Sequence, residues 1–218
     1  MSDDTPTPPR KATDGMSEAE LDARHAEKMK KKKAARDKIV ATKTVEKGLL
    51  IVHTGKGKGK STAAFGIVFR AIGNGMKAGV VQFVKGKWQT GERAVLERLG
   101  PDAVTMTAMG DGFTWETQDR QRDIAAARAA WERAKEMIQD DEHQVVLLDE
   151  LNIVLRYDYL PLEEVVAALQ ARPPMKHVIV TGRNAKDALM EAADLVTDMT
   201  MVKHPFRSGV KAQKGIEF

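Results

Sequence analysis

From residue 48 onward the chain alternates two hydrophobic patterns. Short apolar runs at 48–53, 78–84, 103–106, 144–148, 177–181 and 195–198 read as strands. Between them apolar residues recur every three or four positions, as helices require. Ala63, Ala64, Ile67, Val68, Ala71 and Ile72 form one such stripe, which Gly73 and Gly75 stop. Ile124, Ala127, Trp131, Ala134 and Ile138 form another, on a helix over about 117–139 with Trp131 as core. Pro161 opens a third helix where a missing N–H costs nothing, and Glu163 and Glu164 suit its first turn. Strands alternating with helices predict an α/β fold, a mostly parallel central sheet with helices on both faces. No internal repeat or second domain interrupts it, so residues 48–218 read as one domain and residues 1–47 as an arm.

The arm has its own pattern. Glu18, Glu20, Leu21, Ala23, Ala26, Met29, Ala34 and Ala35 suit an amphipathic helix, while Lys28, Lys30, Lys31, Lys32, Lys33, Arg36 and Lys38 form a basic block. Residues 1–47 hold 12 Lys or Arg against 9 Asp or Glu, so +3 of the total +4 lies in the arm and the rest of the chain is nearly neutral. Such a block either grips an anionic polymer or is the solvated face of a helical extension. The second reading is favoured, because almost no aromatic residue is interleaved to stack on bases.

At 218 residues and 42% hydrophobic, the chain is large enough to bury a full core. No stretch reaches the roughly 20 apolar residues of a membrane span, and the polar, proline-rich start is not a signal sequence. Zero cysteines exclude disulfides, thiolate metal sites and Cys nucleophiles together. These features predict a cytoplasmic protein with no membrane partner.

Candidate chemistry begins where the first strand ends, in Thr54-Gly55-Lys56-Gly57-Lys58-Gly59-Lys60-Ser61. Successive glycines let backbone N–H groups converge on phosphate oxygens, Lys60 supplies a charge, and the Ser61 hydroxyl is placed for Mg²⁺. The helix that follows presents its N-terminus to the same anion. Thr54 stands where the usual phosphate loop begins with glycine. A second motif, Val145-Val146-Leu147-Leu148-Asp149-Glu150, carries two carboxylates to the C-terminal edge of the sheet, where open α/β folds bind ligands. With Ser61 and phosphates they complete a set of hard oxygen donors for Mg²⁺.

Aromatics make up only 5% of the chain, yet Phe113 and Trp115 alternate within a glycine-bearing loop at 109–117. In an extended loop they share a face, either as a platform for a large planar ligand or as plugs that tuck the loop onto the domain. Hydrolysis would need a positioned water and an Arg, and spacing singles out neither Glu150 nor Arg183 for such a task. Spacing thus leaves open hydrolysis on nucleic acid through the basic arm, nucleotide binding without turnover, and group transfer.

The ordered motifs resemble one family. Thr54-Gly55-x-Gly57-Lys58-Gly59-Lys60-Ser61, Val80-Val81-Gln82-Phe83-Val84-Lys85-Gly86, Gly112-Phe113-Thr114-Trp115-Glu116-Thr117, Leu148-Asp149-Glu150-Leu151, Tyr157-Asp158-Tyr159-Leu160-Pro161, Val180-Thr181-Gly182-Arg183 and Gly209-Val210-Lys211-Ala212-Gln213-Lys214-Gly215-Ile216 look like those of the P-loop corrinoid adenosyltransferases. The resemblance covers about residues 48–218 and includes the Thr at the first loop position. It implies a three-layer P-loop NTPase fold of the RecA-like type. It also implies transfer of the 5′-deoxyadenosyl group of ATP to Co(I) of a corrinoid, cob(I)yrinic acid a,c-diamide or cobalamin, with release of triphosphate. By carry-over, Thr54 to Ser61 and Arg183 bind ATP, with Lys60 also catalytic, and Ser61 and Glu150 hold Mg²⁺ or Mn²⁺. Phe113 and Trp115 bind the corrinoid and displace its lower axial ligand. The family further implies a homodimer, an external reductant such as a reduced flavoprotein, and an N-terminal helix covering the corrinoid, a role the stretch 18–43 suits.

Overall fold

The computed structural model describes residues 15–84, 90–108 and 119–217. Six strands form one sheet: β1 (Leu50–Thr54), β2 (Ala78–Gln82), β3 (Val104–Ala108), β4 (Val145–Asp149), β5 (His177–Thr181) and β6 (Leu195–Asp198). Their order is β3-β2-β4-β5-β1-β6, and every pairing is parallel. All six strands expected from the apolar runs are present, with ends displaced by up to two residues. The expected mostly parallel sheet is wholly parallel among the described residues.

The helices are α1 (Glu18–Ala41), α2 (Lys60–Gly73), α3 (Gly91–Leu99), α4 (Arg120–Gln139), α5 (Leu151–Arg156), α6 (Leu162–Gln170) and α7 (Asp187–Ala192). Period-2 alternation along the strands feeds two apolar layers, as a sheet covered on both faces requires. Leu50, Val52, Val146, Leu148, Val178 and Val180 pack with Ala127, Trp131, Ala134 and Ile138 of α4. Ile51, Val145, Leu147 and Ile179 point the other way, onto Ala64, Phe65 and Val68 of α2 and Leu96 of α3. Trp131 is core, as its spacing predicts, and its indole N–H donates to Glu164 at 3.2 Å.

Two helix ends differ from the expectation. Gly73 belongs to α2 instead of stopping it, because Asn74 caps the end: its side-chain amide donates to the Arg70 carbonyl at 2.7 Å. Pro161 is the N-cap of α6, one place before the first helical residue, where its absent N–H is still harmless.

The chain divides into two compact units between Glu46 and Lys47. In the first, Ser17 and Glu20 close a capping box at the start of α1, with the Ser17 backbone N–H donating to the Glu20 carboxylate at 2.8 Å. No residue of α1 is buried, and Lys31 and Lys33 pair with Glu27 and Asp37 four residues away. Those pairs offset part of the basic block within the helix itself.

Candidate active site

Because every strand is parallel, the C-terminal edge of the sheet gathers the ends of β1, β4 and β5, and with them most of the residues the motifs single out. The phosphate loop leaves β1 at Thr54, which is buried and not a defective first glycine. Its hydroxyl accepts from the Ala185 N–H at 3.0 Å and its carbonyl from the Met199 N–H at 2.9 Å, so the side chain ties the loop to the turn after β5 and the backbone ties it to the turn after β6. Gly55 follows with φ 100°, and a Cβ there would lie 2.3 Å from the Asp198 carboxylate, so no side chain fits.

Lys60 opens α2. Only 6% exposed, it turns its Nζ back onto the loop and donates to the carbonyls of Gly55 at 3.0 Å and Gly57 at 2.5 Å. Burial holds its pKa below the usual lysine value; Glu150 and Asp198 oppose that shift, while Arg183 and Lys58 add to it. His53, also buried, sets its Nδ1 3.2 Å from the Lys60 carbonyl and braces the start of the helix. Ser61, in the first turn, is half-buried.

Across one intervening strand, β4 delivers the acid pair. Asp149 accepts from the Thr181 hydroxyl on Oδ1 at 2.8 Å and from the Gln82 amide on Oδ2 at 3.2 Å. Glu150 sits in the left-handed region at φ 61°, ψ 22°, a conformation costing of order 1–3 kcal/mol outside glycine. Its N–H donates to Thr181 Oγ1 at 2.9 Å. Burial, and next the neighbouring Asp149 charge, push the Glu150 carboxyl up to about 7 against the opposing pull of Lys60 and Arg183. That electrostatic coupling brings Arg183, itself exposed, into the same site as Lys60 and Glu150.

The structure thus brings together Thr54, Gly55, Lys56, Gly57, Lys58, Gly59, Lys60, Ser61, Glu150 and Arg183. Phe113 and Trp115 lie outside the described residues; β3, which precedes them, ends at Ala108 on this same edge. Sequence reasoning missed the second set of residues: Thr181 and Gln82 on Asp149, His53 on Lys60, and Asn152, whose amide donates to the Gly182 carbonyl at 2.9 Å. For His53, Gln82 and Thr181, polar residues at the ends of otherwise apolar strands, that position was the available signal. A cavity of about 380 Å³ opens beside the loop, lined in part by Thr54, Gly55, Lys56, Asn184, Asp198 and Arg207. Among the described residues no helix is long and apolar enough to cross a membrane, and no three or more His, Asp or Glu side chains are grouped to hold a metal alone.

Comparison with known proteins gives the family. The family described as ATP:corrinoid adenosyltransferase BtuR/CobO/CobP matches residues 46–218. A second family, described as Cob(I)alamin adenosyltransferase N terminal, matches residues 16–40, so the similarity extends through α1 and beyond the span the motifs alone suggested. A corrinoid adenosyltransferase of Sinorhizobium is 59% identical over the whole of both chains. One from Pseudomonas aeruginosa is 56% identical over 91% of this chain and 98% of its own, and one from Escherichia coli is 50% identical over 90% and 99%. With a phosphate loop and an acid pair on one sheet edge and family similarity over nearly its whole length, this chain belongs to the ATP:corrinoid adenosyltransferase family.

Proposed function

We propose that this chain transfers the 5′-deoxyadenosyl group of ATP to Co(I) of a corrinoid. The cobalt electron pair forms the bond to C5′, the C5′–O bond breaks, and inorganic triphosphate departs with the electrons of that bond. The observation that carries the reading is Lys60, buried at the start of α2 and turned back onto the Gly55 and Gly57 carbonyls of its own loop, with the charges of Glu150 and Arg183 acting on it. Lys60 can exchange the Gly55 and Gly57 carbonyls for phosphate oxygens, while the Gly57 N–H, donating to the Met199 carbonyl, anchors the loop to the turn after β6. A leaving triphosphate needs this stabilisation and no water-activating base.

The donor set fits Mg²⁺ or Mn²⁺. Such a hard cation takes few protein oxygens and fills its shell with phosphates and water, and Glu150, crowded beside Asp149, gains from its charge. Ser61 and Glu150 would hold the ion, which would screen the triphosphate. We assign Phe113 and Trp115 to the corrinoid end of the site. Residues 48–218 are read as the catalytic domain, a P-loop NTPase of the RecA-like type with β5 between the loop strand and the acid strand. The arm 1–47 is read as the corrinoid cover in a homodimer supplied with electrons by an external reductant.

Incubating the protein with ATP, Mg²⁺ and a chemically reduced corrinoid tests the proposal. Adenosylated corrinoid and inorganic triphosphate in equal amounts are expected. Orthophosphate without adenosylated corrinoid would overturn it in favour of an ATPase. The same assay started from Co(II) with a reductant reads the role of the aromatic pair.

A further inference from the structure

We propose that Thr181 is a positioning residue that divides the acid pair, bracing the Asp149 side chain inside the sheet edge so that Glu150 is the carboxylate presented to the cation of the bound nucleotide. This rests on the metal-assisted nucleotide reading above, in which Glu150 serves, and adds what makes it serve in place of Asp149. Thr181 ends β5, the strand between the phosphate-loop strand and the acid strand, and is fully buried. A hydroxyl has one hydrogen to give and lone pairs to receive. Here the hydrogen goes to Asp149 Oδ1 at 2.8 Å, and a lone pair takes the Glu150 N–H at 2.9 Å. One side chain therefore grips both acids, through the carboxylate of the first and the backbone of the second.

The consequences for the two acids differ. Asp149 has its other oxygen engaged by Gln82, the residue opposite it on β2, so both oxygens are held by neutral donors from the flanking strands. Direct coordination of a cation would require it to give one of them up. Glu150, held at its N–H, turns through the left-handed region into α5. Its carboxylate crosses Gly182: a Cβ on that glycine would lie 3.1 Å from Glu150 Oε2 and 2.8 Å from Asn152 Cβ. Asn152, also fully buried, steadies the crossing by donating to the Gly182 carbonyl. Thr181, Gly182 and Asn152 together aim Glu150 past the end of β5 toward the Lys60 side of the site.

A purely structural Thr181 would only tie β4 to β5, so the test reads the cation as well as the fold. ATP binding is measured calorimetrically across a Mg²⁺ titration, without corrinoid, alongside the melting temperature. Thr181→Ser keeps both bonds and should match the unaltered chain. Thr181→Val removes both and should weaken Mg²⁺-dependent ATP binding about tenfold or more. Glu150→Gln should abolish the gain in affinity that Mg²⁺ confers, whereas Asp149→Asn should retain most of it. Should Thr181→Val fail to fold, Gln82→Met frees one Asp149 oxygen from the other side and should shift the Mg²⁺ dependence less, leaving Glu150 dominant. The proposal is overturned if folded Thr181→Val keeps the Mg²⁺ dependence of the unaltered chain, if Ser fails as Val does, or if Asp149→Asn rather than Glu150→Gln removes the metal effect. Absence of any Mg²⁺ effect in the unaltered chain would overturn this inference and the metal-assisted reading together.

Discussion

Two buried lysines stand at opposite ends of the same sheet. Lys176, 5% exposed, lies just before β5 at the N-terminal edge; Lys60, 6% exposed, lies just after β1 at the C-terminal edge. Burial lowers the pKa of both. Their partners differ in kind. Lys176 donates to the carbonyls of Met137 (3.2 Å), Asp140 and His143 and has the Asp140 carboxylate at 3.6 Å, so its three protons are saturated by groups more than thirty residues away. Lys60 holds only two carbonyls, both of its own loop. Lys176 is locked by distant chain, whereas Lys60 rests on short-range contacts, the kind that a phosphate could replace under the proposed function. Backbone strain divides the same way: Glu150 and Asn184, two of the three described non-glycine residues with positive φ, lie next to the phosphate site.

The largest effect should come from exchanging each lysine for methionine. Lys60→Met is expected to fold and melt close to the unaltered chain but to lose about 100-fold or more in adenosyl transfer, as removal of a preorganised charge donor does. Lys176→Met leaves three carbonyls without a donor. It should cost about 3 kcal/mol or more of stability, measured by urea unfolding, while ATP affinity of the folded protein stays unchanged. Equal destabilisation by both substitutions would erase the distinction between the two ends.

Acids at the two edges should give opposite pH signatures. Asp194, just before β6, is held below the usual carboxylate range first by the hydrogen bond from Lys47 and then by the Leu50 N–H and Arg172, with burial opposing them. Its contribution is present above the unfolded carboxylate value and is lost as pH falls through the lowered folded value. Glu150, raised to about 7, contributes oppositely: its effect is fully present below the unfolded value near 4.5 and is lost as pH rises through 7. In metal-free and nucleotide-free protein, Asp194→Asn should therefore lower the melting temperature at pH 7 and narrow its loss at about pH 3. Glu150→Gln should raise the melting temperature at about pH 8 and leave it unchanged at about pH 4. Matching pH profiles for the two variants would contradict the assignment of one acid to stability and the other to function.

These contrasts mark what was legible in the sequence. Six strands and the long α4 were, because period-2 and period-3.6 patterns over apolar residues report burial directly. The placement of the glycine-lysine loop and the acid pair at one sheet edge was, because each is written in consecutive residues at the end of an apolar strand. Helices α3, α5 and α7, six to nine residues long, offer too few turns for a periodic signal. Thr181 and Gln82, quoted only as parts of motifs, were given no role because their value lies in Asp149, 32 and 67 residues away in the chain, and only the strand order brings them together. Lys176 reads as an ordinary surface residue before a strand until the α4 end closes over it.

The smallest expected effect concerns Lys58, an exposed lysine of the loop, which pairs with Glu217, 159 residues away in the chain. A turn in which Ile216 and Glu217 both donate to the Gln213 carbonyl presents that carboxylate to the loop. An ion pair half open to solvent on its lysine side is worth about 1 kcal/mol or less, so Glu217→Gln should move the melting temperature little. If Glu217 is an exchangeable partner, as the loop carbonyls are for Lys60, it competes with the triphosphate for Lys58. Its removal should then lower KM for ATP by a few-fold at low salt. At about 1 M salt, where charges are screened beyond about 3 Å, the difference should vanish. A higher KM in Glu217→Gln would reverse this, making Glu217 an orienting partner that holds Lys58 ready for phosphate and giving the functional edge one contact of the locked kind found at Lys176.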